Sequence, residues 1–415
     1  MRIAATGRRW RAAGGALALA TAVATLIGGC FGEAGDTSPE ASAASCAPVA
    51  GVTADEVRFG ALYPDTGTSS QLSRAFRAGV DARLGEVNAA GGVHGRQVRY
   101  DWRDDESTSA GALLAARSLV ERSQSFAVVG TSGIASEAAD YLAERGVPTI
   151  GQDLTAGGEN VFGYSNMLGG DLGNSVFGVF AHSHGATRAV ILRTDALAAS
   201  GQIGDRLARS LRADAVQVVD TITWTSTGFD LAAAAERVRA AGADMITGVV
   251  PVQAFADVVA AARAAGVTVK VAMQPVGYDP GVLDRRRTGL AGSFYLVDFL
   301  PFEAHTPAHQ RYLDAMAQYA PQIERPEQTT GLVGWLTADL FLRGLQEAGQ
   351  CPTRAGYIAA LRAVKDYDAG GLLPGPVDLA AKNAPRVCVS VVRVGQAADV
   401  FQVQMPMALC GDTLR

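Results

Sequence analysis

The 415 residues contain no His-Glu-x-x-His pair, no Gly-x-Ser-x-Gly elbow, no phosphate-loop Gly-Lys-Ser/Thr and no Cys-x-x-Cys. Each absence removes a chemistry: helix-borne zinc hydrolysis, an exposed serine nucleophile, a backbone cradle for nucleotide phosphates, and the close thiolates of a zinc site. The five histidines are scattered. His305 and His309 stand four apart, but Thr306-Pro307 marks a helix start and no acid adjoins them, so they are read as surface residues along with His94, His182 and His184. No catalysis, metal or cofactor is expected. A basic excess is also missing. With the four arginines of the first 29 residues set aside, 32 basic groups face 41 acidic ones, a net charge of −9 that argues against a nucleic-acid surface.

The first 29 residues lack any acid and hold Arg2, Arg8, Arg9 and Arg11. The apolar run that follows, 12–27, is too short and too rich in alanine for a membrane span and reads as a secretory signal. It ends in Leu26-Ile27-Gly28-Gly29-Cys30, which resembles a bacterial lipobox. That resemblance implies cleavage before Cys30, acylation of its thiol, and an exported chain lipid-anchored on the outer face of the cytoplasmic membrane. Residues 31–45, rich in Gly, Ala, Ser and Pro without apolar periodicity, then form a flexible tether, and 30–54 together link the lipid to the body. Beyond Cys30 four cysteines remain, Cys46, Cys351, Cys388 and Cys410, enough for two disulfides in an oxidising compartment. Three pairings are open. Cys351 with Cys388 and Cys46 with Cys410 is favoured, because the second bond would fasten the start of the body to its end.

With 48% apolar and 19% charged residues the chain can bury a large core and divide into two lobes. Strand-like runs at 57–62, 97–102, 126–129, 149–151, 189–192, 216–222, 245–250, 269–273 and 294–297 alternate with helical stretches. Those helices fall at 71–89, 109–122, 136–145, 172–184, 202–212, 231–241 and 254–265. Such alternation predicts an α/β fold with doubly wound parallel sheets covered on both faces. Three helices follow at 307–319, 330–348 and 353–364, then an antiparallel hairpin over 386–394 and 400–404. Gly91, Gly92 and Gly95 follow a helix and precede a strand, the reverse of a phosphate-binding loop, and read as a C-cap and a tight turn. Asp104 and Asp105, before Ser107-Thr108-Ser109, read as caps of the next helix.

The run Gly60-Ala61-Leu62-Tyr63-Pro64-Asp65-Thr66-Gly67, the turn from Glu86 to Gly95, the Asp104-Asp105 pair and Gly146-Val147-Pro148-Thr149-Ile150 carry a likeness. They resemble the branched-chain-amino-acid-type solute receptors of ABC importers, which are type I periplasmic binding proteins. The likeness runs over 57–304 and more weakly to the end. It implies two Rossmann-like lobes joined by a hinge, here 55–170 with 298–370 and 171–297 with 371–415, closing on a small solute. The partners it implies are that solute and the permease subunits; the chain is read as a monomer that meets the membrane only through its lipid. The expected role is an extracytoplasmic lipoprotein delivering an amino-acid-like solute, an amide or an organic acid to a permease. A ligand-sensing lipoprotein with no transport role is the alternative.

Candidate ligand residues sit on loops leaving the carboxyl ends of strands, where open α/β sheets bind ligands. Thr131, Ser132 and Gly133 open a helix and offer hydroxyls and free N–H groups to an anion. Thr155 matches the family's second carboxylate-binding hydroxyl, while Asp153 stands where a small neutral residue is usual and would repel a bound carboxylate unless a cation or proton intervenes. Asp171 matches an acidic position near the hinge. Val276 occupies the place where amino-acid receptors of this type carry a glutamate for the ligand ammonium, and Ser200-Gly201 replaces a usual Tyr-Gly. Tyr63 and Tyr278, on strand-end loops, are candidates for stacking on a flat or apolar solute.

Overall fold

A computed structural model describes residues 46–66, 70–130, 136–153, 158–165, 167, 173–195, 200–285, 288–380 and 386–414. The first sheet is built from β1 (Glu56–Tyr63), β2 (Gln97–Asp104), β3 (Val128–Gly130), β4 (Thr149–Asp153) and β5 (Val161–Ser165), in the order β2-β1-β3-β4-β5. All its pairings are parallel. Between these strands run α1 (Ser70–Ala89), α2 (Ser109–Arg117) and α3 (Ser136–Glu144). The helix expected over 109–122 does exist, but its last turn, Ser118–Arg122, widens to a π-helix. β1 is buried on both faces, which is why it reads as an apolar run instead of an alternation.

After β5 the chain builds a second sheet. Its helices are α4 (Val176–Ser183), α5 (Ser200–Ala213), α6 (Leu231–Ala240) and α7 (Val252–Ala264). Its parallel strands are β6 (Arg188–Thr194), β7 (Gln217–Trp224), β8 (Met245–Gly248), β9 (Val271–Gln274) and β10 (Phe294–Val297). The chain then returns to the first sheet with α8 (Pro307–Tyr319), α9 (Thr329–Ala348) and α10 (Arg354–Arg362). It ends in antiparallel β11 (Arg386–Val394), β12 (Phe401–Val403) and β13 (Leu409–Asp412), giving the order β12-β11-β10-β9-β8-β6-β7 with β13 beside β11.

The return helices are held by packing and charge together. α9 is apolar over most of its circumference because it is buried from Gly331 to Leu345 except at Asp339 and Arg343. It meets α1 so closely that a Cβ on Gly79 would lie 1.9 Å from the Gly331 carbonyl oxygen, and one on Gly334 would lie 2.0 Å from that of Phe76. Only glycine permits that approach. Beside the crossing, Arg83 Nε donates to Asp339 Oδ1 at 2.8 Å, Tyr367 donates to Asp339 Oδ2 at 3.0 Å, and Arg311 grips Glu86 in a fork at 2.6 and 2.7 Å.

Three sequence expectations are corrected here. The disulfides are Cys46–Cys351 and Cys388–Cys410, not Cys351–Cys388 and Cys46–Cys410. Cys388 and Cys410 lie directly opposite in the β11/β13 ladder, whereas Cys46 lies beside the α9–α10 turn that carries Cys351. His309 is not a surface residue: at 2% exposure it completes a capping box with Thr306, and its Nε2 meets the Leu300 carbonyl at 2.8 Å. Asp104 and Asp105 do not cap α2; Thr108 does, accepting from Gly111 N. β5 and β13 were not anticipated from the sequence.

Candidate functional site

Each sheet reverses strand order once, at β1/β3 in the first and at β6/β8 in the second. Loops leaving the carboxyl ends of strands on either side of such a reversal diverge and open a crevice. In the first sheet these are the loops after β1 and β3, in the second the loops after β6 and β8.

The loop after β1 is held by Asp104, at the end of the neighbouring β2. Its Oδ1 accepts from the backbone N–H of Asp65 (2.9 Å), Thr66 (3.3 Å) and Glu106 (2.8 Å), and its Oδ2 accepts from the Thr66 hydroxyl at 2.5 Å. Burial pushes this carboxyl up, but the hydrogen bonds from Thr66, Glu106 and Asp65 outweigh it and leave the group below its ordinary range. Ser107 closes the unit by donating to the Thr66 carbonyl. Glu106 and Ser107 both take left-handed conformations (φ 54° and 56°), strain that the surrounding bonds must hold.

Removing the carboxylate should therefore free the loop. In Asp104→Ala the amides of Asp65 and Thr66 are expected to exchange with solvent about tenfold faster, the equivalent of roughly 1.4 kcal/mol of local opening. Because the carboxyl is depressed in the folded state, its contribution is present above the ordinary carboxylate range and disappears as pH falls through the lowered value. The wild-type amides should approach the variant's rates only in strong acid. Unchanged exchange would show that the loop is held by something else.

Tyr63 is 2% exposed and stacked on Trp102 with ring centres 5.6 Å apart, and its buried hydroxyl lies beside Arg77. Arg77 lies over the other partner of that stack, 5.3 Å from the Trp102 ring centre, and its Nε donates to Tyr100, which donates in turn to Asp81. Thr131, Ser132, Gly133, Thr155, Asp171 and Cys30 lie outside the described residues; Asp153 is described by its backbone alone, which ends β4 opposite Ser165.

In the second sheet Ser200 ties the loops at the reversal together, accepting from Thr194 N at 2.9 Å and donating to the Val249 carbonyl at 3.0 Å. The Ser-Gly that departs from the family's Tyr-Gly is thus a buried brace. After β9, Val276 is half-buried against the apolar cluster that includes Met273. Tyr278 is 3% exposed, with its ring among Phe299, Phe302 and Phe401. Its hydroxyl donates to Glu303 Oε2 at 2.6 Å and accepts from Phe302 N, and burial with the Glu303 charge pushes it well above the usual phenol range. That ring packs the loop and does not face open space in this structure. Trp224, at the end of β7, also packs half-buried against the core.

Three polar side chains at strand ends, Gln274 and Asp298 buried and Gln152 half-buried, escaped the sequence reading. Gln274 donates to the Val250 carbonyl while its Oε1 has no partner among the described residues, and Gln152 donates to Asp298 Oδ2 at 2.9 Å. The available signal was an acid inside an apolar run, Phe294-Tyr295-Leu296-Val297-Asp298-Phe299-Leu300.

Two doubly wound α/β sheets, each with its strand-order reversal and linked by three passages of the chain, define a two-lobed receptor for a solute. The chain belongs to the periplasmic binding protein family, whose profile matches residues 56–399, and its architecture is that of the type I, branched-chain-amino-acid-binding members. Among curated proteins it is 35% identical over 115 residues to Leu/Ile/Val-binding protein homolog 3 of Brucella melitensis, covering 26% of this chain and 31% of that protein. The chain thus spans about a third of that relative's length. Among solved structures it resembles an ABC-transporter solute-binding protein of R. palustris in complex with benzoate, with TM-score 0.67 and 18% identity over 86% of this chain and 97% of that one. A leucine binding protein from Thermotoga maritima matches with TM-score 0.67 and 19% identity over 85% of this chain and 98% of that one. At such identities the structural likeness concerns the fold alone. Among the described residues no helix is long and apolar enough to cross a membrane.

Proposed function

We propose that this chain is an extracytoplasmic solute-binding lipoprotein of an ABC importer, lipidated at Cys30, which captures a small polar solute between two lobes and delivers it to a permease. The observation that carries the reading is the pair of strand-order reversals, one in each sheet. The proposed lobes are 55–170 with 298–370 and 171–297 with 371–415. Thr131, Ser132, Gly133 and Thr155 receive the solute's anionic or polar end, with Asp153 beside them. Asp171 and Val276 close over it from the second lobe, and Tyr63 and Tyr278 shape the walls from behind, consistent with their buried rings. Closure follows when the solute has higher affinity for the closed form.

The solute class follows from Val276. Relatives include receptors named for leucine and for benzoate. A valine packed on apolar side chains cannot pair with an ammonium group. Loss of a charge-assisted bond in a closed cleft costs about 1.5–3 kcal/mol, tenfold or more in affinity. The reading therefore favours an organic acid or amide over a zwitterionic amino acid.

A thermal-shift screen of the chain from residue 46 onward, with amino acids, amides, ureas and aromatic acids including benzoate, tests it. At a hundredfold excess over Kd a bound solute adds about 2.7 kcal/mol, which displaces the melting curve visibly. Aromatic or aliphatic acids are expected to shift it more than leucine does. Tight leucine binding would refute the specificity argument, and silence from every solute would refute the receptor reading itself.

A further inference from the structure

The chain passes between the sheets after β5, after β10 and before β11, and all three passages line one small cavity of about 30 Å³, room for about two water molecules. Tyr164 and Ser165 come from the first passage, Asp298 from the second, and residues 374–376 with Val387 from the third. Asp298 is 7% exposed. It accepts from the Gln152 amide at 2.9 Å and from the Ser165 hydroxyl, so a side chain that has just left the second sheet is held by two strands of the first. Gln152 is the penultimate residue of β4, one position before Asp153.

We propose that Asp298 is the positioning residue of the hinge, and that its bonds to Gln152 on β4 and Ser165 on β5 set the angle between the two sheets.

The chemistry around Asp298 gives the coupling a proton dependence. Tyr164 is the one titratable side chain among the other described residues lining the cavity; the remaining neighbours are the neutral donors Gln152 and Ser165, apolar side chains and the disulfide-bonded Cys388. Burial pushes the Asp298 carboxyl up, and the two neutral donors only partly offset that. A raised carboxyl favours the compact form below its ordinary range, and this contribution is lost as pH rises through the raised value. Parting of the sheets widens the cavity and hydrates the carboxylate more fully, so rising pH favours the parted form.

Spin labels at Glu144→Cys on α3 and Glu236→Cys on α6 report the separation of the two sheets in the solute-free chain from about pH 4 to about pH 8. In the wild type the ratio of short to long separations should fall at least about threefold over that range. Asp298→Asn, a neutral amide of the same size, should hold the low-pH ratio throughout, and Gln152→Leu should lower that ratio at low pH. A variant that merely loses structure would not abolish a pH response while keeping the short separation. An unchanged pH response in Asp298→Asn, or none in the wild type, would overturn the proposal. The solute screen reads the receptor function separately: a pH-responsive hinge with no solute would sink that function alone, and a bound solute with an unresponsive hinge would sink this inference alone.

Discussion

Asp339→Ala is expected to lower the unfolding free energy by about 3 kcal/mol, the lower end of the range for breaking a buried ion pair. The partner left behind is Arg83, whose side chain is 8% exposed and whose Nε has Asp339 as its acceptor at 2.8 Å. A guanidinium in that position keeps one acceptor, Glu86 at 3.0 Å, but Glu86 is already gripped by both nitrogens of the Arg311 fork. The Tyr367 hydroxyl, which donates to the other Asp339 oxygen, loses its carboxylate as well. The loss arises from uncompensated burial and not from the worth of the pair itself, so removing both charges should behave differently. Arg83→Met with Asp339→Leu is expected to recover most of the stability, since apolar side chains of similar volume leave no charge unpaired and the Tyr367 hydroxyl keeps the Leu336 carbonyl at 3.3 Å. Denaturant unfolding of the two variants decides between the views. If Asp339→Ala costs less than about 1 kcal/mol, water reaches Arg83 and the α1–α9 contact is looser than its glycines indicate.

That network illustrates what the sequence could convey. Nothing local in the sequence shows the Arg83–Asp339 pair, because the two residues are 256 positions apart and only the fold brings α1 and α9 together. The strands and helices were legible, since parallel strands such as β1 are continuous apolar runs and the glycines after α1 mark its end. β5 was not, because Val161-Phe162-Gly163-Tyr164-Ser165 is short and carries a glycine and a serine. The type of receptor was legible from local turns. The roles of Asp104 and Ser200 were not: the first looks like a helix cap and the second like a replaced tyrosine, and one proves to hold the loop after β1 while the other braces the reversal in the second sheet. Tyr63 and Tyr278 stood at the expected strand ends, but exposure of a ring depends on what packs over it, here Trp102 for one and Phe401 for the other.

The disulfides yield the largest expected effect. Cys46 and Cys351 are 305 residues apart, and Cys388 and Cys410 only 22. A cross-link stabilises mainly by restricting the unfolded chain, and the restriction grows with the logarithm of the loop it closes. On that account Cys46→Ser with Cys351→Ser should cost about 5 kcal/mol, and Cys388→Ser with Cys410→Ser about 3 kcal/mol. Local context favours the same order. β11 and β13 remain paired by their ladder, and Ser175 still binds Asp412 through two hydrogen bonds, so that end of the chain keeps its place without the covalent bond. The Cys46 sulfur also meets the Gln350 carbonyl at 3.5 Å and Arg96 at 3.9 Å, both long contacts. Without the disulfide, residues 46–55 keep the turn around Val49 to Val57, the Arg96 bond to the Thr53 carbonyl, and the bonds of Arg58 N to Gly51 and Gln97 N to Asp55. Paired-serine variants compared by denaturant midpoint at constant slope give the measurement. An equal or smaller loss for the Cys46–Cys351 pair would mean that the unfolded chain already keeps its ends together, or that the bond works through native contacts and not through loop closure.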